Sequence, residues 1–253
     1  MHMSQAMQNN DKIVVSGSQV EEVFIEKGGA THCDVELQPG ACLNLYVFAK
    51  GAEGGNMRGC DITAHLSRDS RLNVFAGILN ADDAENNITV HLDAPGAEAR
   101  INGFALLDGN RRCSTKVSVA HHAPHCVSDQ LFKYIVEDTA HGLFSGLIRV
   151  DEGATGTLAY QNNRNILASE GARMNSEPQL EIYCDDVRCS HGSATGQLNE
   201  RALFYMRSRG IEAAEARSML MNAFLADVID IVEDERLRDD LRQEVEQRLT
   251  GTL

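Results

Sequence analysis

Two short stretches of this 253-residue chain concentrate side chains that bind metals or carry sulfur. The first holds Cys184, Cys189 and His191, between a strand-like run and a helix. The second holds His121, His122, His125 and Cys126 around Pro124. Residues two apart on an extended chain point to the same side, so the Cys189 thiol and the His191 imidazole emerge together. Thiolate with imidazole is a ligand set for zinc, iron or an iron–sulfur cluster. Two ligands do not complete a site, so the pair suggests one finished by other parts of the chain or by a second subunit. Cys184, five residues from Cys189, is expected on the opposite face of the pleat and is left out. Asp185 and Asp186 are expected to pair with Arg188. For His121 to Cys126 the expectation is a solvated turn whose imidazoles bond locally.

Other chemistries lack their motifs. The chain has no Gly-x-x-x-x-Gly-Lys-Ser/Thr loop, no Gly-x-Gly-x-x-Gly between strand and helix, and no Gly-x-Ser-x-Gly elbow, so no bound nucleotide is expected. Cys-x-x-Cys and His-Glu-x-x-His are absent too. A net charge of -14 argues against bare nucleic acid. The sequence lacks an apolar run of about 18 residues and a basic-then-apolar start, so no membrane is expected and the expected compartment is the cytoplasm. An odd count of 7 scattered cysteines reads as free thiols.

The elements that must position Cys189 and His191 follow from periodicity. Residues 1–12 are polar and aperiodic, and are read as a frayed or appended start. From 13 to 197, alternating runs such as Asn87-Ile88-Thr89-Val90-His91-Leu92 have the period of strands. Turn signals recur at Pro39-Gly40, Asp69-Ser70, Pro95-Gly96, Pro124-His125 and Glu152-Gly153, at steps of roughly 26 to 30 residues. That period fits one coil of a β-solenoid, with stacked aliphatics filling a narrow core and open ends needing caps. Residues 198–253 read as helices that cover one such end. Asn199 caps the first, with Leu203 and Phe204 on one face, and Gly210 with Ile211 stops it. Ala216, Leu220, Ala223, Phe224, Val228 and Ile231 form the next stripe, and Leu237, Leu241, Val245 and Leu249 the last, packed against each other.

Several segments carry a resemblance. Gln179-Leu180-Glu181-Ile182, Cys189-Ser190-His191-Gly192, Gly196-Gln197-Leu198 and the run from Leu203 through Arg207, Arg209 and Gly210 to Ile211 closely resemble the SufB/SufD scaffold family of the SUF iron–sulfur cluster assembly system. So do Ser128 to Lys133 and Asn163 to Leu167, and the resemblance is strongest on the SufD side. It implies a mainly β protein with a right-handed parallel β-helix core and a C-terminal α-helical subdomain. It implies a non-catalytic scaffold that dimerises through its β-helix, with a SufB-like subunit or a second copy of itself. It further implies binding of a SufC-like ABC ATPase through the C-terminal helices, with Asn199, Leu203, Phe204, Tyr205, Arg207, Arg209 and Gly210 as candidates. Within Cys-Ser-His-Gly, His191 is the implied ligand of a transient iron–sulfur cluster, and Cys189 a second ligand or sulfur acceptor.

Family members are typically longer, with an N-terminal helical region and more coils, which leaves a compact member or a fragment as readings. In the compact case two copies of Cys189 and His191 would face each other across a two-fold axis. The rival reading is a metal-free or zinc-bound structural solenoid adaptor. A Cys189 nucleophile with His191 as base lacks a third, orienting group.

Overall fold

A computed structural model of the chain describes residues 11–17, 20–26, 31–50, 59–79, 81 and 83–251. Most of the expected irregular start, residues 1–10, lies outside them, and Asp11 and Lys12 open the first strand.

The strands alternate between two parallel sheets. One contains β1 (Asp11–Val15), β3 (Thr31–Leu37), β5 (Cys60–Leu66), β7 (Ala84–Leu92), β9 (Arg112–His121), β11 (His141–Val150) and β13 (Arg173–Ile182), stacked in that order. The other contains β2 (Val20–Glu26), β4 (Cys42–Lys50), β6 (Arg71–Leu79), β8 (Glu98–Leu107), β10 (Val127–Val136), β12 (Thr157–Leu167) and β14 (Val187–Gln197). Each strand pairs with the strand two places away in sequence, which is how a solenoid builds parallel ladders from short connections. Val127 aligns with Glu98 and with Leu158, steps of 29 and 31 residues, close to the spacing of the turn signals.

Those signals mark one corner of the solenoid. Gly40 (φ 73°), Asp69 (55°), Gly96 (75°), His125 (61°) and Gly156 (70°) all adopt the left-handed conformation. They are linked coil to coil: the Gly96 N–H donates to Pro124 O (3.4 Å), and the His125 N–H donates to Thr155 O (2.8 Å). Glycine is required at 156, where a Cβ would lie 2.4 Å from His125 Nδ1.

Inward side chains fill the space between the sheets. Leu37, Leu43, Leu45, Ile62, Leu66, Leu72 and Ile78 are fully buried there, and Phe132, Tyr134 and Phe144 add aromatic bulk further along. Phe132 and Phe144 meet with ring centroids 5.1 Å apart.

Three helices follow: α1 (Glu200–Ser208), α2 (Ala213–Ile229) and α3 (Glu235–Leu249). The Asn199 side chain accepts from the N–H groups of Arg201 and Ala202, and Gly210, at φ 88°, ends α1. Two expectations need correction. The helices do not lie over an open end, nor do they pack only on each other. They cover the outer face of the even-numbered sheet, where Tyr46, Phe48, Phe75 and Phe104 join Leu203, Met221, Leu225, Val228 and Leu241 in one apolar layer. Both faces of these strands are covered, so β4, β6 and β8 read as apolar runs, a signal of two-sided burial.

The stripe of α2 is also shifted. Its buried residues are Ala216, Ser218, Met221, Leu225, Val228 and Ile229, while Leu220 and Phe224 are half-buried and Ile231 lies beyond the helix. Buried Lys133 on β10 pins this helix: its Nζ donates to Phe224 O (2.6 Å), pairs with Asp227 Oδ1 (2.5 Å) and lies 4.5 Å from the Phe224 ring. Arg217 donates from Nη2 to Ala168 O (2.5 Å) at the end of β12. No helix among the described residues is long and apolar enough to cross a membrane.

Candidate functional site

Strand β14 is an edge strand, paired on one side only, with β12. The register places Cys189 beside Ala159 and His191 beside Gln161, both inward positions of β12. The thiol and imidazole therefore share the inward face, as their spacing predicts. There they stand at the open end of the solenoid: Cys189 is half-buried and His191 exposed.

The columns beneath them change character along the axis. One runs Leu72, Ala99, Ser128, Ala159, Cys189, and the next Val74, Ile101, Gln130, Gln161, His191. A third runs Ala76, Gly103, Phe132, Asn163, Ser193, and a fourth Ile78, Ala105, Tyr134, Asn165, Thr195. The apolar interior of the early coils thus becomes polar towards β14. Asn165 Nδ2 donates to Asn163 Oδ1 (2.7 Å) and to Thr195 Oγ1 (3.0 Å). The Ser176 hydroxyl donates to Asn163 Oδ1 (2.8 Å), and Ser193 donates to Ser176 (2.8 Å).

Gln130 and Gln161 are buried with both ends of each side-chain amide unpaired within the protein. A buried amide group left without a partner costs on the order of 1–3 kcal/mol. Gly146 makes room for this, since a Cβ there would fall 2.1 Å from Gln161 Nε2. Sequence reasoning missed these glutamines. The visible signal was a polar residue at an inward position of two strands one coil apart.

Cys184 requires a correction. Counting pleats assumed a continuous strand, but β13 ends at Ile182 and β14 begins at Val187, so Cys184 lies in the corner between them. It packs with Cys189, Val187 and Leu180 against Ile148, Val150, Ala154 and Ala159. Burial raises the Cys189 thiol above its ordinary pKa, the Ala159 backbone hydrogen bond partly offsets this, and the neighbouring Cys184 adds to the rise. Cys189 is thus a protonated thiol at neutral pH. Among the described residues neither Asp185 nor Asp186 forms an ion pair with Arg188; the Asp186 carbonyl instead accepts from the Gly156 N–H (2.7 Å).

The second stretch disperses. His121 is buried, with Nε2 2.9 Å from Ser128 Oγ; burial, reinforced by His122, lowers it to about 4. His125 forms the corner described above, and buried Cys126 donates to Ala94 O (3.3 Å). His122 points outward to Asp151.

Of the candidates on α1, Leu203 is 8% exposed and packs into the layer on the sheet, so it is not available at the surface. Leu203 and Phe204 are about 100° apart around a helix, so they cannot share one face. Phe204 (75%) and Tyr205 (60%) are exposed. The Arg209 guanidinium lies 5.4 Å from the Tyr205 ring. A shallow groove lined by Phe204, Arg207, Ser208, Gly210 and Ile211 runs beside them. Asn199 and Gly210 act as the caps of α1.

With this geometry in view, the chain can be set beside known proteins. A family described as "SUF system FeS cluster assembly, SufBD core domain" matches residues 6–224. The chain belongs to that family. It is similar to the iron–sulfur cluster assembly protein SufD of Escherichia coli (35% identity over 186 residues, 74% of this chain and 44% of the relative). It is also similar to SufBD family proteins of Synechocystis (34% over 176 residues, 70% and 39%) and Mycobacterium leprae (31% over 242 residues, 91% and 61%). The chain thus spans between about two fifths and three fifths of these SufBD relatives. By their printed descriptions, the family and these relatives take part in iron–sulfur cluster assembly.

Proposed function

We propose that this SufBD chain is a non-catalytic scaffold on which a nascent iron–sulfur cluster is held at the open end of the solenoid, with His191 as iron ligand and Cys189 as second ligand or sulfur acceptor. The observation that carries the reading is the shared inward register of the two side chains on the last strand, above a polar interior and beside a second thiol, Cys184. The cluster is cargo, assembled from supplied iron and sulfide. Thiolate and imidazole are its expected ligands.

Two ligands from one chain leave the cluster half-coordinated. A second scaffold subunit, SufB-like or another copy, would complete it. β13 and β14, of 10 and 11 residues, present unpaired backbone edges, which are templates for pairing with another chain. The exposed Phe204, Tyr205, Arg207 and Arg209 on α1 fit the docking of a SufC-like ABC ATPase. Movement of the helices would reach the sheet through Lys133 on β10 and through Arg217 at the end of β12, the strand that holds β14. An ATP-driven change in the partner would thereby open or close the cluster site, provided the interface has two states.

The test is size-exclusion with light scattering on the chain mixed with the SUF ATPase, with and without ATP. A stable complex is expected, its mass distinguishing one scaffold copy from two. Absence of any complex under both conditions would contradict the docking assignment.

A further inference from the structure

On the outer face of the odd-numbered sheet, remote in sequence from Cys189, three histidines stack across successive coils. The rings of His65 and His91 lie 4.6 Å apart at an interplanar angle of 7°, and those of His91 and His122 lie 5.4 Å apart at 8°. Register builds this stack: His65 aligns with His91, and His122 follows β9 one step beyond the Leu92–His121 pair, beside Asp93.

We propose that His91, Asp93 and His122 form a binding site for a divalent first-row transition ion, separate from the cluster site and independent of the function proposed above. One ligand atom from each of the three residues lies within 4.8 Å of the others. His91 Nδ1 and His122 Nε2 are 3.1 Å apart. Two nitrogens bound to one ion at about 2.1 Å, at angles between octahedral and tetrahedral, are about 3.0 to 3.4 Å apart, so the pair is already at ligand spacing. Two imidazoles and one carboxylate suit iron(II), zinc or cobalt(II), and leave positions for water.

The groups behind the ligands are those a metal site uses. His122 Nδ1 is 2.6 Å from Asp151 Oδ2, which fixes its tautomer and directs Nε2 to the site. Asp151 is itself held by Arg149 Nε at 2.8 Å. His65 Nδ1 lies 2.8 Å from Asp93 Oδ2 and orients that carboxylate in the same way. With His122 Nδ1 donating to Asp151, the 3.1 Å contact places a proton on His91 Nδ1. A metal ion bound at His91 Nδ1 would leave that proton on Nε2 of the same neutral ring.

The experiment uses the full chain carrying Cys189→Ser and His191→Ala, which removes the thiolate–imidazole pair, and titrates cobalt(II) while following its visible ligand-field bands. One saturable equivalent is expected. His122→Gln and Asp93→Asn should each weaken binding at least about tenfold, and Asp151→Asn, which acts only through His122, by about tenfold. These positions face solvent, so unchanged thermal melting is expected, and His122→Gln keeps a polar side chain of similar size. Absence of saturable binding, or binding that survives His122→Gln and Asp93→Asn undiminished, overturns the proposal.

Discussion

Strands β6 and β14 occupy the same four inward columns of one solenoid, four coils apart, yet they carry opposite chemistry. On β6 the column residues are Leu72, Val74, Ala76 and Ile78, each nearly or fully buried between neighbouring coils. On β14 they are Cys189, His191, Ser193 and Thr195, with no strand beyond them among the described residues. A covered coil gains by removing apolar area from water. An uncovered coil gains nothing that way and is free to carry groups that bind. Selection for stability and selection for chemistry therefore act on the same positions of different coils.

The largest expected difference comes from a single column. Leu72→Ala should cost about 3 kcal/mol, because it leaves a cavity between rigid coils, whereas Cys189→Ala at the end of that column should cost less than about 1 kcal/mol. Urea denaturation of the two variants measures both. Equal losses would mean that β14 is as well packed as β6.

His121 sharpens the covered side. Its pKa, 6.5 ordinarily, falls to about 4 in the folded chain because burial excludes the charged ring. The folded form binds the proton less readily than the unfolded form. The stability held above pH 6.5 is therefore lost as pH falls towards about 4, to a total of about 3 kcal/mol. His121→Gln should flatten that part of a stability-against-pH curve.

The same contrast recurs on α1 between adjacent residues. Leu203→Ala should cost about 2 kcal/mol and Phe204→Ala less than about 0.5 kcal/mol by thermal denaturation, while only the latter should weaken ATPase binding. Between these two, Asn199→Ala is expected to cost about 1 kcal/mol by the same thermal measurement, through loss of the two hydrogen bonds at the start of α1.

How much of this was legible in the sequence follows from the range of each signal. The corners were legible because Gly40, Asp69, Gly96 and His125 sit at a repeating left-handed position, and turn chemistry is local. The Cys189–His191 pairing was legible for the same reason: period 2 holds within a strand. The Cys184 assignment failed because the strand ends at Ile182, and a pleat count does not survive a corner. The helices were legible as helices, but their docking surface was not, because it depends on which strands stack to gather Tyr46, Phe75 and Phe104 into one layer. The stacked histidines were hidden in the same way, being 26 and 31 residues apart and adjacent only through coil register.

The central claim is that the uncovered coil holds the cluster. Its most direct test is anaerobic reconstitution with iron(II) and sulfide, in the presence of the SUF ATPase and the partner scaffold subunit, with iron and acid-labile sulfide counted per complex. The account predicts that Cys189→Ala/His191→Ala folds and assembles as the parent does but loses the bound iron and sulfide. Full retention of iron and sulfide by that double variant would contradict it.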